Sequence, residues 1–368
     1  MKLHIFNPEH DIALAINKYR FTPPHAGRQL RADLGFIPAL WADNGDWVLV
    51  DDKEAAEEAA RHLVKYAGDV RFVETDDLQD IADAELNTLA IEPWGWDSSV
   101  CFQLVRANPA LKELLPEASR LEAIRNMSSR TFAADRLLPE LTCLDKHLVG
   151  RSVYCSDVET VRRILHDNGS IVMKSPWSSS GRGVRYIENG LLTVQQEGWI
   201  NNIIARQGGV MVEPLYRKVL DFGMEFSTRA DGGIDYCGLS MFATSNGAYT
   251  GSMLATESDK REILRRYCDE KLLDMVCESI VKILSPLFSG TYEGPFGIDM
   301  MIVATDNVGT FMLHPCVELN LRRTMGHVAL AVSPSDVEPQ RVMNIAYSGK
   351  YHLRIHKTNT NTLKHGLV

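Results

Sequence analysis

Short apolar runs that stop at polar or turn-forming residues recur in the first part of the chain, and such runs are typical of buried strands. They are residues 3–6, 48–50, 70–73 and 88–91. Residues 54–66 are rich in Ala and Glu and end near Gly68, which predicts a helix between two of these strands. Strands that alternate with helices predict a parallel α/β layer over roughly the first 115 residues.

From about residue 121 the pattern predicts longer helices and antiparallel strands. The predicted helices are residues 125–138, 158–166 and 259–284. The predicted strands are residues 170–173, 184–187, 211–213, 296–303 and 310–321. Residues 225–229 and 236–242 are predicted to pair across the turn residues Asp231, Gly232 and Gly233. The polar residues from Lys357 onward are predicted to be poorly ordered.

Length, composition and net charge limit the possible domain organisation and partners. The chain has 368 residues, enough for two or three domains, and 45% of them are hydrophobic, as in ordinary globular proteins. Its formal net charge is −9, whereas nucleic-acid-binding proteins are usually basic, so we predict no nucleic-acid partner. A homodimer is the default expectation for the assembly.

Cysteine usage and the apolar segments indicate the compartment. Seven cysteines without a Cys-x-x-Cys pair argue against a disulfide framework and for a reducing cytoplasm. The apolar run at residues 3–6 is too short for a signal peptide. Since no segment is long enough to span a bilayer, we predict a cytoplasmic protein without a membrane partner.

Oxygen-bearing side chains cluster in two strand-like segments. Asp299 lies in the first, and the second contains Glu318, Asn320 and Arg322 in the pattern Glu-x-Asn-x-Arg. Alternate residues of a strand point to one face. Carboxylate and amide oxygens are suitable ligands for Mg²⁺, and nucleotide phosphates can complete its coordination shell. The pattern predicts a magnesium site for phosphate chemistry. If Asp299 or Glu318 stood alone, an ordinary carboxylate at the end of a strand would be the better interpretation.

A serine- and glycine-rich loop follows Lys174 at the end of a predicted strand. Lys174 would place a positive charge on a phosphate, and the loop residues Ser180, Gly181, Arg182 and Gly183 would offer N–H and hydroxyl donors. The loop is not a Walker motif, because no Gly-Lys-Ser/Thr opens a helix. A solvated side chain is the alternative for Lys174 and for Arg182.

Two further carboxylates are candidates for nucleotide binding. Glu213 ends an apolar strand, with Leu215 just beyond it, and such a strand end can form the edge of a nucleotide pocket. Backbone groups there would pair with adenine, and the carboxylate would accept ribose hydroxyls. Glu225 lies in the next predicted strand, and a cross-strand ion pair is an equal alternative for it.

In this order, these segments resemble the ATP-grasp family of ATP-dependent carboxylate–amine ligases, over roughly residues 121–331. The resemblance implies ATP-binding roles for Lys174, Ser180, Gly181, Arg182, Gly183, Glu213, Leu215 and Glu225. It implies that Asp299, Glu318 and Asn320 bind Mg²⁺, with Mn²⁺ as an alternative, and that Lys174 and Arg322 are catalytic. Relatives carry another lysine near the start of the domain, and Arg130 takes that place here.

The resemblance also implies an α+β ATP-grasp fold, in which two lobes grip ATP, preceded by a Rossmann-like α/β domain. We predict a pre-ATP-grasp domain at 1–120, an N-terminal lobe with the phosphate loop at 121–210, a C-terminal lobe with the metal site at 211–350, and a tail at 351–368. The serine-rich loop and the doubled arginine at 322–323 depart from the usual family pattern.

The reaction implied by the family has two steps. A substrate carboxylate attacks the γ-phosphate of ATP to give an acyl phosphate, and an amine or another nucleophile then displaces phosphate. The expected partners are therefore small-molecule carboxylate and amine substrates, and the arginines at 322–323 point to an amino acid or a peptide. Two alternatives stay open: a small-molecule kinase, and a nucleotide-binding protein without catalysis.

A polar cluster follows the first predicted strand, and its role is left open by the sequence. The cluster consists of Asn7, Glu9, His10 and Asp11. Parallel α/β sheets bind ligands at the carboxyl ends of their strands. A ligand site and a simple helix cap are equal alternatives for this cluster.

Overall fold

A computed structural model describes residues 1–178, 183–188, 190–245, 248–334 and 339–357, whose strands form three sheets. The first sheet is parallel, in the order β3-β2-β1-β4, as the alternating apolar runs predict. Its strands are β1 (Lys2–Ile5), β2 (Trp47–Leu49), β3 (Arg71–Val73) and β4 (Ala90–Pro93). Its helices are α1 (His10–Ile16), α2 (His25–Leu34), α3 (Lys53–Arg61), α4 (Asp83–Leu86) and α5 (Ser98–Ala107). Short 3-10 helices cover Ile37–Leu40, Asp76–Asp80 and Pro109–Leu114.

The second sheet has four antiparallel strands in the order β5-β8-β6-β7. The three helices that lead to it are α6 (Ala118–Met127), α7 (Arg130–Arg136) and α8 (Leu138–Thr142). Its strands are β5 (Val153–Cys155), β6 (Ile171–Lys174), β7 (Val184–Ile187) and β8 (Val210–Pro214). Helices α9 (Val158–Asn168) and α10 (Val194–Gln207) share a small core with it.

The third sheet is antiparallel throughout, in the order β13-β12-β9-β10-β11-β14-β15. Its strands are β9 (Lys218–Thr228), β10 (Ile234–Ser245), β11 (Ala248–Leu254), β12 (Gly294–Ala304), β13 (Phe311–Asn320), β14 (Arg341–Tyr347) and β15 (Tyr351–Lys357). Its helices are α11 (Glu257–Leu264), α12 (Glu270–Phe288) and α13 (Met325–Ala331). The antiparallel pairing of β9 with β10 confirms the predicted hairpin.

The largest apolar core lies between the third sheet and α12. Phe226 stacks on Phe296 with ring centroids 5.0 Å apart, and Phe288 from α12 packs edge-on against Phe296 at 5.2 Å. Side chains alternate along a strand. Glu225 is one residue from Phe226 on β9 and Asp299 is three residues from Phe296 on β12, so both point away from α12. The core therefore fixes the strands that carry the candidate metal ligands.

Two predicted helices are each divided in the structure, and one strand lies within the predicted tail. The helix predicted at 125–138 is interrupted, because the side chain of Ser129 accepts a hydrogen bond from the Thr131 N–H and starts a new helix. The helix predicted at 259–284 is also two helices, since the side chain of Asp269 caps the start of α12. The assigned tail contains β15, whose Leu353 is buried.

A second apolar core joins the parallel sheet to the C-terminal hairpin of β14 and β15. It includes Val48 from the first sheet, Phe6 just after β1, and Leu254, Met343 and Leu353 from the third sheet. Among the described residues, no helix is both long enough and apolar enough to cross a membrane. The division into domains stays a prediction.

Candidate functional site

The predicted metal ligands lie on the face of the third sheet opposite α12. In the ladder between β12 and β13, Asp299 pairs with Glu318, and Gly297 pairs with Asn320. Because residues two apart on a strand share a face, the ladder brings Asp299, Glu318 and Asn320 together. The sequence spacing alone placed two of them on one face, and the strand register adds the third.

The carboxyl group of Asp299 is buried beside a second carboxylate, that of Glu318. Burial raises the pKa of Asp299 well above its usual range, and repulsion from Glu318 raises it further. The described ranges contain no group of three or more His, Cys, Asp or Glu side chains that could hold a metal ion. This row does not count as such a group, because it has two carboxylates and one amide. Such a donor set fits Mg²⁺ that shares its coordination with phosphates and waters.

Arg130 connects this row to the start of the phosphate loop. Its Nη2 donates to Oε1 of Glu318 at 2.7 Å, and its Nη1 donates to the carbonyl of Ser175 at 2.6 Å and to Oγ of Ser178 at 2.8 Å. Arg130 is the first residue of α7, and its backbone N–H donates to the carbonyl of Pro176 at 3.0 Å. The guanidinium therefore holds the loop start beside the candidate metal ligands.

Lys174 and Glu213, predicted to contact different parts of ATP, form an ion pair with each other. They lie on the neighbouring strands β6 and β8, and Nζ of Lys174 is 2.7 Å from Oε2 of Glu213. Oγ of Ser152 donates to the other Glu213 oxygen at 3.1 Å. Both charged side chains are buried. Leu215 is half-buried, and its backbone N–H donates to the carbonyl of Ser170 at 3.2 Å.

Part of the predicted phosphate loop lies outside the described residues, namely Ser180, Gly181 and Arg182. Gly183 is described, and its carbonyl accepts a hydrogen bond from the Ser175 N–H at 2.8 Å. A Cβ at position 183 would collide with Ser178, so glycine allows the two arms of the loop to meet.

Glu225 is enclosed by protein partners. One oxygen accepts from Oγ of Ser240 at 2.6 Å, and the other accepts from Oγ1 of Thr324 at 2.8 Å and lies 3.0 Å from Nδ1 of His327. Burial opposes its ionisation, but the attraction of His327 and these hydrogen bonds lower its pKa overall. These partners are two hydroxyl groups and a histidine of α13 rather than a cross-strand ion pair. The contact of Glu225 with ATP stays a prediction.

Arg322 joins the metal row to the N-terminal cluster. It donates to both carboxylate oxygens of Asp11 at 2.9 Å and to Oδ1 of Asn320 at 3.0 Å. Burial opposes ionisation of Asp11, but the attraction of Arg322 outweighs it and lowers the pKa. A narrow cleft lies beside Asp11 and Asn320. Its wall includes His10, Asp11, Arg130, Ser178, Glu318 and Asn320.

Comparison with solved structures identifies the architecture. The biotin carboxylase–β,γ-ATP complex from Campylobacter jejuni aligns with a TM-score of 0.51 at 16% identity, over 94% of this chain and 75% of that one. The chain has the ATP-grasp fold. N5-carboxyaminoimidazole synthetase from Staphylococcus aureus, complexed with ADP, aligns with a TM-score of 0.47 at 12% identity, over 94% and 82% of the two chains. No protein-family model and no curated protein matches the sequence.

The ATP-grasp fold confirms the predicted fold class and the family resemblance at the level of architecture. The roles of individual side chains stay predictions. Sequence reasoning missed Ser175 and Ser178 as partners of Arg130, and it missed that Asp97 contacts His10. Asp97 follows β4, the neighbour of β1, so the order of parallel strands was the signal that could have paired it with His10.

Proposed function

We propose that this chain is an ATP-dependent ligase that joins a carboxylate to an amine through an acyl phosphate. The observation that carries the proposal is the set of Asp299, Glu318 and Asn320 on one sheet face, with Arg130 paired to Glu318. Two carboxylates and an amide suit a magnesium–nucleotide complex. Arg130 and Arg322 suit an anionic substrate, such as an amino acid or a peptide carboxylate.

Asp299, Glu318 and Asn320 would hold Mg²⁺, or Mn²⁺ in its place. The buried carboxyl of Asp299, whose pKa is raised by burial and by Glu318, supports this assignment, because a cation would stabilise its charged form. When bound, the metal neutralises charge on the phosphates during transfer.

The other side chains position and shield the reacting groups. Arg130 and Lys174 would stabilise charge on the transferring phosphoryl group, since fixed cations in a water-poor site act strongly on such charge. Glu213 orients Lys174 through the contact of 2.7 Å between their charged groups. The loop that Arg130 anchors through Ser178 would exclude the water that hydrolyses an acyl phosphate.

The test measures ADP release from Mg-ATP with pools of amino acids, dipeptides and small carboxylates, with hydroxylamine added as a trap. A ligase should give ADP together with a hydroxamate from at least one pool. ADP without hydroxamate would contradict an acyl-phosphate intermediate and favour a kinase that phosphorylates a hydroxyl group. No ADP from any pool would contradict catalysis.

Substitution of the metal row separates its role from that of the fold. Glu318→Gln keeps an oxygen for Arg130 but removes the charge, and we expect it to lower ADP release by about 100-fold or more, as should Asn320→Ala. Melting temperatures should stay close to that of the natural chain. Asp306→Ala is the matched control, because this fully exposed carboxylate lies in the turn between the same two strands. Turnover retained in either row variant would contradict the metal assignment.

A further inference from the structure

The loops that follow β1 and β4 meet at the carboxyl edge of the parallel sheet and bring His10 against Asp97. Nδ1 of His10 lies 3.2 Å from Oδ2 of Asp97, and both side chains are buried. Oδ1 of Asp97 caps α5 by accepting the N–H groups of Ser99 at 2.8 Å and Val100 at 2.9 Å. Nδ2 of Asn7 donates to Oδ2 at 3.1 Å. Asp97 is therefore held rigidly as an acceptor.

This arrangement selects one tautomer of His10. Because Asp97 accepts, Nδ1 of His10 donates to it, and Nε2 of the neutral ring is left as an acceptor. Gly95 fixes the ring, since a Cβ there would lie 2.6 Å from Cδ2 and 2.7 Å from Nε2. Among the described residues, Nε2 has no hydrogen-bond partner.

His10 lines the same narrow cleft as two of the candidate metal ligands, Glu318 and Asn320. Arg322 engages both oxygens of Asp11, whereas Arg130 engages one oxygen of Glu318. Glu318 is a candidate metal ligand, so we consider His10 as the side chain of the cleft wall that accepts a proton.

We propose that His10 is the general base that deprotonates the amine and that Asp97 positions it, an inference that rests on the proposed ligase function. At neutral pH an alkyl amine arrives as an ammonium ion, whose nitrogen has no free electron pair. Transfer of one proton to Nε2 frees that pair to form the C–N bond, while the C–O bond breaks and phosphate leaves with its electrons. The departing phosphate takes the second proton, and the imidazolium returns the first to solvent.

The test compares two nucleophiles in a His10→Gln variant supplied with Mg-ATP and the pooled standard amino acids, with and without hydroxylamine. Hydroxylamine is largely unprotonated at neutral pH, so its attack on the acyl phosphate needs no base. We expect the variant to form amide about 100-fold more slowly, or worse, while hydroxamate formation stays within about twofold. His147→Gln, which alters the exposed pair with Asp145 at 2.7 Å, is the matched control and should change neither rate.

Asp97→Asn tests the positioning role. The asparagine side chain keeps an oxygen for the cap of α5 but presents an N–H to Nδ1 of His10. We therefore expect this variant to lose amide formation while it keeps hydroxamate formation. Full amide formation in His10→Gln would overturn the base assignment alone. Equal loss of amide and hydroxamate in a variant with an unchanged melting temperature would also overturn it. A natural chain that releases no ADP would overturn the ligase function and the base together.

Discussion

At the scale of single residues, most charged side chains of the candidate site are paired with each other. The pairs are Arg130–Glu318, Arg322–Asp11 and Lys174–Glu213. Asp299 differs, because burial and a neighbouring carboxylate both raise its pKa. The attraction of Arg322 and a hydrogen bond with Asn320 oppose this rise in pKa without cancelling it. A cation bound beside Asp299 would stabilise the charged form of its carboxyl group.

The sequence predicted the residue types of the site better than their partners. Spacing along one strand indicated Glu318 and Asn320, because alternation is a local property. No local pattern could place Arg322 against Asp11, a residue 311 positions away. The same limit hid the Lys174–Glu213 pair, since each residue was interpreted separately.

His314 should make stability depend on pH. Both of its ring nitrogens lack partners among the described residues, and burial together with Lys174 lowers its pKa to about 3. The unfolded chain takes up this proton near pH 6.5 and the folded chain does not, so stability is lost as the pH falls below that value. In urea unfolding, we expect His314→Leu to gain about 2 kcal/mol relative to the natural chain between pH 7 and pH 5. A parallel pH dependence of the two proteins would contradict this.

At the scale of elements, polar caps decided where helices end. Apolar periodicity continues across residues 125–138 and 259–284, so the pattern predicted single helices. The side chains of Ser129 and Asp269 instead cap new helices at these points. The strand β15 was missed because its short alternating pattern precedes a polar terminus, and its pairing with β14 is a longer-range contact.

Helix α12 should contribute strongly to stability through one face. Ile280 is fully buried in the core that backs the metal row, whereas Lys282 on the same helix is exposed. We expect Ile280→Ala to lower the free energy of unfolding by about 2–5 kcal/mol. Lys282→Ala, the matched control, should change it by less than about 0.5 kcal/mol. Urea denaturation measures both, and equal effects would contradict the packing described.

At the scale of the whole molecule, the N-terminal sheet and the C-terminal hairpin share one core. Phe6 and Val48 pack in the same cluster as Met343 and Leu353. The Arg322–Asp11 pair links α1 to the segment that follows β13. The position of the cleft wall therefore depends on both ends of the chain.

We expect these parts to unfold together. Scanning calorimetry should show a single transition, and Leu353→Ala should lower its midpoint as a whole, because the loss of a buried leucine costs about 2–5 kcal/mol. Arg354→Ala, on the exposed side of the same strand, should leave the midpoint almost unchanged. Two separate transitions, with only one shifted by Leu353→Ala, would show that the shared core does not couple them.

The most direct test of the whole interpretation is calorimetric titration of the chain with ATP, in the presence of Mg²⁺ and again with EDTA. We expect magnesium-dependent binding, weakened at least tenfold by Asp299→Asn and unchanged by Asp306→Asn, whose carboxylate is exposed in the turn between the same strands. Absence of binding to Mg-ATP, or equal binding by the natural chain and Asp299→Asn, would contradict a magnesium–nucleotide site on this sheet face.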